Sequence, residues 1–152
     1  MAILLINDDG YYAQGIQELN QTLMSFSKVK VIAPKANCSG LSASISLRKD
    51  IHVEKITLSN FIVNGTPADC SYLGLTSLFV GEISQVVSGI NLGANLGNDV
   101  LYSGTVGAAL AGRGLEFPPV AISVAAYEPK ALSFIAKLSS NLVQRKIGRA
   151  HV

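Results

Sequence analysis

Tryptophan is missing from this 152-residue sequence, and cysteine and histidine occur only twice each. Cys38 and Cys70 lie in different segments with no CxxC or Cys/His spacing, which excludes a disulfide framework and leaves two reduced thiols, Cys70 expected to be buried. His52 falls within a strand-like run and His151 near the end of the chain, so zinc would find few of its usual ligands. Charge is scarce too. Asp, Glu, Lys and Arg make up 14% of the chain, with a formal net charge of +2 and scattered basic residues, which leaves no footprint for nucleic acid. No stretch reaches the roughly 20 apolar residues that a bilayer span requires, and the long uncharged stretch from Ile83 to Asn98 is broken by Gly, Asn, Ser and Gln. The first residues carry neither the basic flank nor the small-residue cleavage site of a signal peptide, so a cytoplasmic protein is expected. No GxGxxG turn or Walker A loop follows the first apolar run, which weakens dinucleotide and P-loop readings. Apolar residues, by contrast, are plentiful. At 49%, with a mean hydropathy of +0.38, the chain can bury one sizeable core and is not disordered.

Ala2-Ile3-Leu4-Leu5-Ile6 is a continuous apolar run stopped by Asn7-Asp8-Asp9-Gly10, the pattern of a central parallel strand buried on both faces. Ile16, Leu19, Leu23 and Met24 then recur at helical spacing, predicting a helix that ends near Ser27. Val29 to Ala33, stopped by Pro34, completes a βαβ unit. A loop from Lys35 to Ser46 follows, then weaker strand signals at Ile51 to Ile56 and Phe61 to Val63, expected as a hairpin or an excursion from the sheet. Gly65 to Asp69 feeds a helix carrying Cys70, Leu73, Leu75 and Leu78. Gln85 to Gly89 reads as a short strand, and Gly89 to Gly104 as too rich in Gly and Asn for regular structure. A small-residue helix from Thr105 through Ala111, a strand from Val120 to Ala125 and an amphipathic helix from Pro129 to Val143 close the pattern. The expected fold is a three-layer αβα, Rossmann-like domain with a doubly wound, mostly parallel sheet. Ligands bind such sheets outside the carboxyl ends of the strands. Three polar loops fall there: Asn7 to Gly10, Asn37 to Ser42 and Asn91 to Thr105.

Adjacent carboxylates at a strand end, Asp8 and Asp9, repel each other unless a cation or a shared proton intervenes. Mg²⁺, Mn²⁺ and Ca²⁺ favour the carboxylate, amide and hydroxyl oxygens that the three loops offer. The alternative is that Asp8 and Asp9 cap the following helix while Gly10 takes a positive φ. A glycosidase pair fits poorly, since those carboxylates face each other across a bond rather than standing side by side.

Five blocks, in order, carry a more specific signal: Asn7-Asp8-Asp9-Gly10; Asn37-Cys38-Ser39-Gly40; Gly65-Thr66-Pro67-Ala68-Asp69-Cys70; Val87 to Gly93 with Asn95 and Gly97; and Tyr102-Ser103-Gly104-Thr105-Val106. In order and spacing they resemble the SurE (survival protein E) family of 5′/3′-nucleotidases, over residues 3 to about 124. The resemblance implies one divalent metal ion, Mg²⁺ or Mn²⁺, with Ca²⁺ an alternative occupant in crystals, on Asp8, Asp9, Ser39 and Asn91. It implies a phosphate loop of Asn95, Ser103, Gly104 and Thr105, with Asp8, Asp9, Asn95 and Ser103 as the catalytic set. Family members hydrolyse nucleoside 5′- and 3′-monophosphates, with some activity on short polyphosphate. Asp8 is assigned the further role of general base for the attacking water and Asp9 chiefly that of a ligand, although the two roles are exchangeable. Departures from the family are Ala111, where many relatives have Glu, and the bulky pair Tyr11-Tyr12 in the first loop, which offers packing or base stacking.

Residues 1–146 are expected to form an incomplete nucleotidase domain. Residues 147–152, Ile-Gly-Arg-Ala-His-Val, match the translation of a common sequencing adapter and are expected to be read-through. Full-length relatives continue with more sheet and an arm exchanged between subunits, so a homodimer or tetramer is expected of the complete protein. The competing expectations are a metal- or nucleotide-binding α/β module without turnover, and a truncated fragment without activity.

Overall fold

The computed structural model describes residues 2–125 and 129–149. Six strands form one sheet in the order β3-β4-β2-β1-β5-β6. In chain order the elements are β1 (Ala2–Ile6), α1 (Gln14–Leu23), β2 (Lys28–Pro34), β3 (Val53–Lys55), β4 (Asn60–Val63), α2 (Pro67–Leu73), β5 (Ile83–Leu92), α3 (Gly104–Leu110), β6 (Val120–Val124) and α4 (Leu132–Arg149). A wide turn, Gly74–Leu78, extends α2, and short 3₁₀ segments occupy Gly97–Tyr102 and Pro129–Ala131. The pairings β1/β2, β1/β5, β2/β4 and β5/β6 are parallel, and β3/β4 is antiparallel. Of the two alternatives expected for Ile51 to Val63, the hairpin holds and the excursion from the sheet does not: β4 joins the main sheet beside β2, and β3 folds back on it at the edge.

Alternation along β1 builds the three layers. Ile3 and Leu5 face one side, where Ile16, Leu19 and Leu23 of α1 and Leu132, Ala136 and Val143 of α4 pack. Ala2, Leu4 and Ile6 face the other, against Cys70 of α2 and Ala108 of α3. With every residue of β1 buried, the hydrophobic effect fixes this strand at the centre. α2 starts with a capping box: Thr66 Oγ1 accepts from the Asp69 N–H at 3.0 Å, and Asp69 Oδ2 accepts from the Thr66 N–H at 2.9 Å.

Several boundaries differ from the sequence reading: α4 runs to Arg149, past the expected end at Val143, a 3₁₀ segment forms at Gly97–Tyr102 where no regular structure was expected, and α1 and β5 end elsewhere than expected. α1 stops at Leu23 instead of near Ser27, because the chain tightens there into a turn in which the Phe26 and Ser27 N–H groups both donate to Leu23 O, and Met24 is left exposed. β5 runs through to Leu92, well beyond the expected end at Gly89. Gly89 has φ +137°, and a Cβ there would lie 2.5 Å from Ile122 O. Glycine therefore lets β5 pass close against β6 with a register shift between Ser88 and Asn91, without ending the strand.

Successive elements from β1 lead outward to β2 and β4, and the chain then returns to place β5 on β1's other side. The ends of β1 and β5 thus flank the point where the strand order reverses, which is where doubly wound sheets open a crevice. None of the helices among the described residues is long and apolar enough to cross a membrane.

Candidate metal and phosphate site

The turn after β1 is held by its own side chain: Asn7 Nδ2 donates to Gly10 O at 2.8 Å, and Gly10 takes φ +105°. This lets the chain reverse sharply, with the Tyr11 N–H donating to Pro34 O at 2.9 Å. Asp8 is 4% exposed and accepts from Thr105 Oγ1 on α3 at 2.6 Å. Gly104 packs directly on it, so that a Cβ there would lie 3.0 Å from Asp8 Cβ and 3.1 Å from Oδ2. The N-cap of α1 is Ala13, with no side-chain capping bond. The carboxylates of the turn are thus not spent on the helix that follows, and the capping alternative fails.

The loop after β2 is stapled to this turn. The Cys38 N–H donates to Asp8 O at 2.7 Å, and Asn37 Nδ2 donates to Asp9 Oδ1 at 3.3 Å. Asn37 Oδ1 in turn accepts from Ser39 N–H at 2.9 Å and from Ser39 Oγ at 2.7 Å. Burial pushes the Asp9 carboxyl above its ordinary range, the neighbouring charge of Asp8 pushes it further, and a hydrogen bond from the Leu92 backbone pulls part of the way back. Among the described residues no Lys, Arg or His lies within ion-pair distance of Asp8 or Asp9, the recorded ion pair being Lys30 with Glu82 at 3.3 Å.

An open cleft with a cavity volume of about 270 Å³ lies between these loops and the end of β5. Asp8, Ser39, Asn91, Asn95, Asp99 and Ser103 line it. Asn91 Nδ2 donates to Gly93 O at 2.9 Å, which leaves its carbonyl oxygen available to a ligand. Asn95 Nδ2 donates to Ser123 Oγ at 2.7 Å, tying the far wall to β6. Ser103 caps α3, accepting from the Val106 N–H at 3.2 Å. Of the residues singled out in the sequence, Asp9, Gly104 and Thr105 do not line the cleft. Thr105 is fully buried with its hydroxyl given to Asp8, so it acts on that carboxylate and not as a free phosphate donor.

Sequence reading passed over Asn37, Asp99 and Ser123. The first was visible as part of a block, but its bonds to two loops were not. Asp99 sits in the Gly- and Asn-rich stretch with nothing local to mark it, and Ser123 lies on a strand. Tyr11 is buried, with its ring edge-on to Tyr12 at 5.1 Å between centroids and its hydroxyl accepting from Asn60 Nδ2 at 3.2 Å. That places Tyr11 in packing, while Tyr12 is exposed. Cys70 is buried and free, as expected. The His151 reading, like the last three residues of the suspected adapter segment, lies outside the described residues.

The family model described as "Survival protein SurE" matches residues 3–151. A protein named 5′-nucleotidase SurE from Alkalilimnicola ehrlichii is 47% identical over 145 residues, covering 95% of this chain and 56% of the relative. One of the same name from Acinetobacter baumannii is 50% identical over 125 residues, covering 82% and 49%. The crystal structure of the SurE protein from Aquifex aeolicus superposes with a TM-score of 0.88 at 40% identity, covering 95% of this chain and 59% of that one. The chain thus spans about half to three-fifths of the length of these relatives.

Proposed function

The chain belongs to the survival protein SurE family, and on that premise we propose that its cleft serves a divalent-metal-dependent phosphomonoesterase that hydrolyses nucleoside 5′-monophosphates to nucleoside and phosphate. The relatives' name, 5′-nucleotidase, supports the substrate class. The observation that carries the reading is Asp8, which lines the cleft, beside the adjacent carboxylate of Asp9, with no cationic side chain among the described residues within ion-pair distance of either. Such a pair suits a hard cation, and Ser39 Oγ and the Asn91 carbonyl oxygen add neutral oxygen donors of the kind Mg²⁺ and Mn²⁺ accept. Asp8, Asp9, Ser39 and Asn91 would hold the ion.

When bound, the ion supplies Lewis-acid polarisation of a phosphoryl oxygen and lowers the pKa of water. The chain's own groups do the rest. Thr105 fixes Asp8 through Oδ1, leaving the other carboxylate oxygen to take a proton from the attacking water. Asn95 and Ser103, which also line the cleft, orient the phosphate, and Gly104, free of any side chain, lets the start of α3 pack directly against Asp8.

The finer readings go with this one. We assign 3′-monophosphates and short polyphosphate as further substrates, the cytoplasm as the compartment, and a homodimer or tetramer as the state of the longer protein. Residues 147–152 are assigned to adapter read-through, and a natural coding sequence continuing past Lys146 without the adapter would overturn that. The central test is phosphate release from AMP or GMP. Release with Mn²⁺ that stops on addition of EDTA supports the reading. Mn²⁺ binding without release by a folded chain leaves a binding module, and the hydrolytic assignment then fails for this chain.

A further inference from the structure

We propose that Asn37 is a positioning residue of the cation site, the group that turns its neighbours' hydrogens out of the cleft and holds two ligand loops at a fixed separation. The proposal rests on the divalent-cation reading above. A hydroxyl can serve a cation only through a lone pair, so its one hydrogen must point elsewhere. Asn37 Oδ1 takes that hydrogen from Ser39 Oγ at 2.7 Å and the Ser39 N–H at 2.9 Å. With two donors on its carbonyl oxygen, the amide has one orientation open to it, and Nδ2 faces Asp9 Oδ1 at 3.3 Å. One side chain thereby sets a hydroxyl from the β2 loop and a carboxylate from the β1 loop.

The bonds to Ser39 alone would make Asn37 a local turn former. Its bond to Asp9 crosses to another loop, 28 residues away in sequence, and contributes nothing to that turn. The backbone bond from Cys38 to Asp8 O already pins the same segment, so Asn37 is not needed to bring the loops together. What it adds is the direction of the donor atoms. The side chain is exposed, so removing it strips no core contact and separates its effect from folding. Outer-sphere partners of this kind typically change metal affinity by about 10–100-fold when removed.

The experiment is a calorimetric titration of Mn²⁺ into the 152-residue chain, with Asn37→Ala, Ser39→Ala and the double substitution. Thermal unfolding in EDTA serves as the check on folding. Asn37→Ala is expected to weaken Mn²⁺ binding about tenfold or more and leave the EDTA unfolding curve in place. The double variant is expected to lose less than the product of the two single losses, because part of the effect of Asn37 runs through Ser39 and the rest through Asp9. Asn37→Ser, too short to reach Asp9, is expected to lose affinity as well and stands in should the alanine variant not fold. Wild-type affinity in the Asn37 variants, or losses that multiply in the double variant, overturns the role given to Asn37 while the cation reading stands. No Mn²⁺ uptake by the unsubstituted chain overturns the cation reading and this proposal with it.

Discussion

On the wall of the cleft built from the ends of β1 and β2, Asp8 is buried, bonded to Thr105 through its side chain and to Cys38 through its backbone. Asn37 links Asp9 to Ser39 across the same wall. On the facing wall, the 3₁₀ segment Gly97–Tyr102 has no buried residue, and Leu96, Leu101 and Tyr102 are all largely exposed. That wall is held to the body by Asn95 on Ser123 and by Ser42, whose hydroxyl donates to Leu101 O at 2.7 Å and whose N–H donates to Tyr102 O at 3.1 Å. Under the proposed function, the difference follows from what each side would bind. A hard cation tolerates little error in the placement of its oxygens, so its side is cross-linked before it arrives. Few buried contacts leave the other side free to adjust around a phosphate and whatever the phosphate carries.

Asp8→Asn puts the heaviest load on this contrast. Thr105 can still donate to the remaining carbonyl oxygen, so the wall should keep its shape while losing a proton acceptor. AMP turnover with Mn²⁺ is expected to fall by about 10²–10⁴-fold, the usual worth of general acid–base catalysis, with Mn²⁺ still bound in a parallel titration. Unaffected turnover would remove the role given to Asp8. Asn95→Ala probes the other wall: a steady-state assay should show turnover and apparent affinity for AMP reduced by roughly tenfold, while Mn²⁺ affinity does not change. An equal loss in Mn²⁺ affinity would mean that the two walls are not separate.

The smallest effect concerns charge. In the metal-free chain, burial and the neighbouring Asp8 raise the Asp9 carboxyl above its unfolded value, so the folded state holds that proton more tightly than the unfolded one. Stability from this group is fully present below the ordinary carboxylate range and is lost as pH rises through the raised value. Asp9→Asn should therefore raise the metal-free melting temperature above that window and leave it unaltered below. Because Asp9 is only half-buried, solvent screening keeps the gain under about 4 °C. Melting curves in EDTA across pH would show a lower melting temperature for the variant at neutral pH if the sign were wrong.

How much of this was legible beforehand depended on whether a feature is local. β1 could be read because burial on both faces demands an unbroken apolar run, and the carboxylate pair at its end stood where doubly wound sheets bind ligands. The extension of β5 was hidden, since Gly89 looks like a strand breaker until Ile122 O is found pressed against the place its Cβ would fill. Thr105 looked like a cap or phosphate donor, because a hydroxyl beside a helix start carries no mark of the distant Asp8 it serves. Asn37 lies within a recognisable block, yet its bond to Asp9 exists only once β1 and β2 are paired.

The most direct measurement is anomalous diffraction from crystals of this chain grown with Mn²⁺. The account requires one peak, bonded to side-chain oxygens of Asp8, Asp9, Ser39 and Asn91, with Asn37 retaining its bonds behind them. A peak elsewhere, or none in crystals where the cleft is open to solvent, would contradict it.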